Sequence, residues 1–133
     1  MASIFTKIVE REIPAHIVAE DENYLAFLDI NPLVEGHTLV IPKKEVDYVF
    51  DLDHQTLAGL FSFSKGVAKA IESVIPCERI GLTVMGLEVP HAHVHLIPMQ
   101  TMDDMNFSNM KLSPSKEEME ATAKKIKEAY EKK

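Results

Sequence analysis

Residues 91–98 read His91-Ala92-His93-Val94-His95-Leu96-Ile97-Pro98, three histidines at strict two-residue spacing with apolar residues between them. A β-strand sends successive side chains to opposite faces, so this spacing lines up the three imidazoles on one face and Ala92, Val94 and Leu96 on the other. One face packs and the other carries chemistry. A lone histidine here would be read as a satisfied core residue. Three side by side reverse that reading, because burying them together leaves several ring donors and acceptors to satisfy.

Two chemistries suit such a row. A histidine pair at i, i+2 chelates zinc or another borderline metal when a distant ligand, such as His37 or Glu88, completes the set. Alternatively, imidazoles act as nucleophile and as acid or base toward a phosphoryl centre, since histidine titrates near neutral pH and forms covalent intermediates.

Outward from this strand, Arg79 to Met85 alternates, with Ile80, Leu82 and Val84 on one side. Before it, Asp53 is placed to cap a long helix closed by Pro76, whose inward face is Leu57, Leu60, Phe61, Ser64, Val67, Ala68, Ile71 and Val74. Tyr24–Ile30 and His37–Ile41 are apolar and β-branched, and Pro32 and Gly36 between them supply a turn, which predicts an antiparallel hairpin. His16–Ala19 is a shorter strand ahead of it. Downstream, Ser113 followed by Pro114 predicts the start of a C-terminal amphipathic helix carrying Met119, Ala123, Ile126 and Tyr130 inward. Strands, long helix, strands, helix, with short connections between neighbouring strands, predict an α+β domain on an antiparallel sheet.

The chain has 133 residues, 14 Lys+Arg against 21 Asp+Glu, and a formal charge of −7. The segment from Pro114 onward nets +1, which leaves −8 for the rest. This acidity argues against nucleic acid as partner, because neutralising a phosphate backbone needs a basic stripe. The N-terminus lacks a basic region followed by an apolar run, and no apolar stretch reaches spanning length, so neither a signal peptide nor a membrane partner is expected. Cys77 is the one cysteine. It cannot form an intrachain disulfide, and with the missing signal this predicts a cytoplasmic location.

The 91–97 segment is similar to the His-x-His-x-His-x-x signature of the histidine-triad (HIT) nucleotide-binding superfamily. Residues 4–14 (Ile4-Phe5-Thr6-Lys7-Ile8 through Pro14), Phe27-Leu28-Asp29-Ile30-Asn31-Pro32 and Gly36-His37-Thr38-Leu39-Val40-Ile41-Pro42-Lys43-Lys44 resemble the N-terminal half of its Hint-like branch. The resemblance covers roughly residues 3–98. It implies a single domain over 1–133, with a core of about 3–98, an extension of 99–133, and a sheet of about five strands with one long and one C-terminal helix. It also implies that His93 attacks the α-phosphorus of a purine nucleotide adduct, such as a nucleoside phosphoramidate, giving a nucleotidyl-histidine that water resolves. His95 would contact the phosphate or leaving group, with His91 and His37 completing the cluster. Asp29 would bind the ribose, and Phe27, Ile4, Phe5 and Ile8 would line the base. A homodimer through the long helix and a strand edge is implied, and no cofactor.

Two departures bear on this. Some relatives hold zinc with an N-terminal Cys-x-x-Cys and a histidine after the Ile-Pro-Lys-Lys run. Ser3, Thr6 and Glu45 stand there in this chain, and structural zinc is not expected. The segment Met85-Gly86-Leu87-Glu88-Val89-Pro90 is shorter than the corresponding Hint-like loop and lacks its side-chain phosphate donors. Glu88, turned inward, would repel a phosphate. The alternatives are therefore a catalytically weak purine-nucleotide-binding module and a strand-borne histidine metal site.

Overall fold

The hairpin expected over 24–41 forms and sets the register of the sheet. In the computed structural model, which describes residues 2–132, β1 (Ile17–Glu20), β2 (Tyr24–Leu28), β3 (Thr38–Pro42), β4 (Arg79–Thr83) and β5 (Val94–Met99) are all paired antiparallel. Their order is β1-β2-β3-β5-β4, so β4 is an edge. Gly36 turns the chain into β3 with a φ of 91°, a conformation that L side chains rarely adopt.

Each face of the sheet has its own apolar cluster. Ala26, Leu28, Val40, Val94 and Leu96 pack under α2 (His54–Val74) and α3 (Lys116–Glu131). Leu25, Phe27, Leu39 and Ile41 face the other way, against Phe5 and Ile8 of a short helix, α1 (Ile4–Val9). The pleat separates the two sets.

Asp53 caps α2 as expected, its carboxylate accepting the Thr56 N–H at 2.7 Å. The buried stripe differs from the expected one. It is Leu60, Phe63, Ser64, Val67, Ala70 and Ile71, whereas Phe61 is 42% exposed and lines an open groove with Val49, Phe50, Leu57, Ala58 and Val84. The stripe at 60, 63/64, 67 and 70/71 runs straight along the helix, and Phe61 lies beside it.

Two further expectations are corrected. β5 begins at Val94 and not at His91, because the Ala92 N–H bonds the Val46 carbonyl at 2.7 Å and the His91 N–H that of Val89 at 2.8 Å, outside the ladder. α3 starts at Lys116 with Ser115 as cap, because Ser115 and Glu118 exchange side-chain and backbone hydrogen bonds that Ser113 and Pro114 cannot match. α1 carries no expectation from the sequence. Six residues offer too little period to see, yet Ser3 caps it, its Oγ accepting the Thr6 N–H at 3.0 Å.

Candidate active site

The site lies on the α1 face of the sheet. Phe5 meets Phe27 edge-on at 5.5 Å between ring centroids and His93 at 5.0 Å. With Ile8, Leu39 and Ile41 they form one packed apolar wall. Ile4 stands outside that wall, half exposed.

His37, His91, His93 and His95 are all buried, contrary to the expectation that a row of imidazoles resists burial. The structure meets the cost by bonding every ring. Among the described residues no buried side-chain nitrogen or oxygen lacks a hydrogen-bond partner.

The fixed backbone partners determine each tautomer. A carbonyl can only accept, so His91 Nε2, 2.8 Å from the Pro42 oxygen, carries the proton and its Nδ1 accepts from Ser3 Oγ at 2.9 Å. His93 Nδ1 is 2.8 Å from the His91 carbonyl oxygen, so it is the protonated nitrogen and Nε2 keeps its lone pair. An amide N–H can only donate. The Leu33 N–H therefore fixes His37 Nδ1 as acceptor at 3.1 Å, His37 Nε2–H donates to His95 Nδ1 at 3.0 Å, and the His95 proton sits on Nε2.

Burial lowers the pKa of His37 to about 3, helped by the charges of His95 and Lys111, and that of His95 to about 4, helped by His93. His91 is lowered for the same first reason, burial. His37 is thus neutral, and its 3.6 Å approach to Asp29 Oδ2 is not an ion pair. Asp29 follows the end of β2 on the same face as Phe27, and its Oδ1 accepts the Asn31 N–H at 2.9 Å. Burial raises its pKa, partly offset by the Asn31 bond and by His93 and Lys111, while Glu88 adds to the rise.

A HIT domain pattern matches residues 10–102 of this sequence. The chain belongs to the histidine-triad family. It is 43% identical to an uncharacterised HIT-like protein of Methanocaldococcus jannaschii over 71% of this chain and 77% of that one. It is 39% identical to the adenosine 5′-monophosphoramidase of Schizosaccharomyces pombe over 74% of each. The solved structure of a zinc-bound histidine-triad family protein from Mycobacterium smegmatis superposes with a TM-score of 0.86 at 28% identity, over 99% of this chain and 95% of that one. The five-stranded α+β architecture is that of HIT-family structures.

Two candidate metal positions in this triad protein do not suit a cation. Ser3, Thr6, Glu45 and His91 converge, but as a hydrogen-bonded set. Glu45 Oε1 accepts the Ser3 N–H at 2.7 Å and the Thr6 hydroxyl at 2.5 Å, and Ser3 Oγ donates to His91. Two neutral hydroxyls are not the thiolate and imidazole donors that structural zinc takes. Asp29, His37 and His95 bring ligand atoms within 4.8 Å of one another. A cation on His37 Nε2 would force that ring's proton onto Nδ1, against the Leu33 N–H.

The segment between β5 and α3 adds residues to the triad that the sequence reading missed. Phe107 sets its ring edge-on to His95 at 4.9 Å and to His37 at 6.1 Å, and Lys111 lies 5.9 Å from the centroid of that ring. Nothing periodic marks this stretch. An aromatic and a lysine within a polar, irregular run were its only signal. Glu88 is exposed on the opposite loop, yet its charge reaches Asp29.

Proposed function

We propose that the protein hydrolyses or transfers the nucleoside monophosphate group of purine nucleotide adducts, nucleoside phosphoramidates or related compounds, through a covalent nucleotidyl-histidine on His93. The observation that carries this reading is the 2.8 Å contact between His93 Nδ1 and the His91 carbonyl, which leaves the Nε2 lone pair as nucleophile. His93 Nε2 attacks the α-phosphorus and the bond to the leaving amine or alkoxide breaks, the departing atom taking its proton from solvent while His95 Nε2–H hydrogen-bonds to it and keeps its own proton. Water then attacks the same phosphorus and releases a proton to solvent, the bond from phosphorus to His93 Nε2 breaks, and the nucleoside monophosphate and free His93 are regenerated.

Phe5, Phe27 and Ile8 supply an apolar wall for the base, with Ile4 at its exposed edge, and Asp29 beside Phe27 offers the ribose an acceptor. The S. pombe relative is named for this class of reaction. A homodimer is part of the proposal. It is supported by the edge position of β4, on which Leu82 is exposed, and by exposed Phe50 and Phe61 in the apolar groove.

The test is incubation with a radiolabelled nucleoside phosphoramidate. The label is expected to appear transiently on His93, and His93→Ala is expected to lose turnover while still binding AMP. Retained turnover in that variant sinks the assignment, and AMP binding by the wild type without adduct or product points to a binding module.

A further inference from the structure

At neutral pH the buried His37–His95 pair offers a phosphate no positive charge. His37 and His95 are neutral, titrating near 3 and 4, and two carboxylates, Asp29 and Glu88, act on the same region. The loop at 85–90 carries a carboxylate and no side-chain hydrogen-bond donor. A phosphate entering this site needs a cation from elsewhere.

The stretch from Thr101 to Leu112 supplies one. It is a strap tied down at both ends and in the middle. Thr101 and Asp104 form a capping box, the Asn109 side chain donates to the Asp103 carbonyl at 2.9 Å, and the Leu112 N–H donates to the Pro32 carbonyl at 2.9 Å. The last bond fixes the strap beside the turn that carries Asp29. Phe107 is thereby pressed edge-on against His95 and His37, and Lys111 lies over the same ring. Among the described residues the ammonium's hydrogen bonds go to two backbone carbonyls, those of Phe107 at 2.7 Å and Asn109 at 3.4 Å. No carboxylate engages it among the described ion pairs. A long flexible stem lets it exchange two neutral carbonyls for a charged oxygen.

We propose that Lys111 is the phosphate-binding cation of this site and that Phe107 positions it beside His95. This assignment rests on the proposed function and deepens it. The strap takes over the role of the donors absent from the 85–90 loop, so the phosphate is recognised by charge and its affinity is sensitive to salt.

Calorimetric titration of wild type, Lys111→Met and Lys111→Arg with AMP and with adenosine tests the assignment. Lys111 is exposed, so its replacement spares the core. Loss of one charge-assisted hydrogen bond predicts about a tenfold or larger fall in AMP affinity for Lys111→Met. Adenosine affinity is expected to stay unchanged, Lys111→Arg to recover most of the loss, and added salt to narrow the gap between wild type and Lys111→Met. An AMP-to-adenosine affinity ratio in Lys111→Met equal to that of wild type overturns the role of Lys111 alone. Wild-type protein that binds neither ligand overturns the proposed function and this assignment with it.

Discussion

His37 Nε2 donates to His95 Nδ1 across 3.0 Å, and the direction of that bond is set by a backbone amide, that of Leu33, on the far side of the His37 ring. Two buried imidazoles are thereby held neutral and in single tautomers. The catalytic proposal and the acid sensitivity of the fold both follow from this pair.

Because His37 and His95 titrate near 3 and 4 when folded and near the ordinary 6.5 when unfolded, the unfolded chain binds more protons between those limits. Stability is then full above about pH 6.5 and falls as the pH drops toward 4. Denaturant titrations from pH 7 to pH 4 are expected to show this decline. In His37→Asn the slope over that window decreases by about one proton, whatever the variant's stability at pH 7. An unchanged slope in that variant contradicts the neutral pair.

Ser3 holds two roles in one hydroxyl, capping α1 through the Thr6 N–H and donating to His91 Nδ1. Ser3→Ala is expected to cost about 1 kcal/mol for the cap and to loosen the helix that carries Phe5. The kinetic signature is a KM for nucleotide adducts that rises by a larger factor than kcat falls, with Ser3→Thr restoring both. Wild-type melting temperature and KM in the alanine variant would show that the latch does not position the site.

Phe61 lines the groove between α2, the turn at Val49 and Phe50, and Val84, and is 42% exposed, beside Phe50 at 72%. Light scattering on the wild type is expected to give the mass of two chains. Phe61→Glu places a charge in the apolar contact and is expected to give the mass of one, with its circular dichroism unchanged because the side chain lies outside the buried stripe. A monomeric wild type refutes the dimer.

Much of the architecture was legible because periodicity reports which face is apolar. The opposite faces of Ala92/Val94/Leu96 and the histidines and the strand β4 followed from spacing, and the hairpin and both long helices from spacing joined to turn and cap residues. Helix limits were read less well where capping competes. Ser113-Pro114 looked like a start, and Ser115 with Glu118, at capping-box spacing, made the better one. Phe61 was misplaced because a stripe one position wider fits the same pattern.

The order of residues was enough to bring His91, His93 and His95 to one side, since alternation is a local rule, whereas His37 and Asp29 were placed beside them only by the resemblance to the triad family, because the β3–β5 pairing that joins them is long-range. It could not say how four buried imidazoles are satisfied. That depends on the carbonyls of Pro42 and His91, the amide of Leu33 and the hydroxyl of Ser3, donors and acceptors that nearly every segment possesses and that only chain folding aims. Phe107 and Lys111 belong to the same class. The hydrogen bond from the Leu112 N–H to the Pro32 carbonyl brings their strap back to the triad, and such a contact leaves no period in the sequence to read.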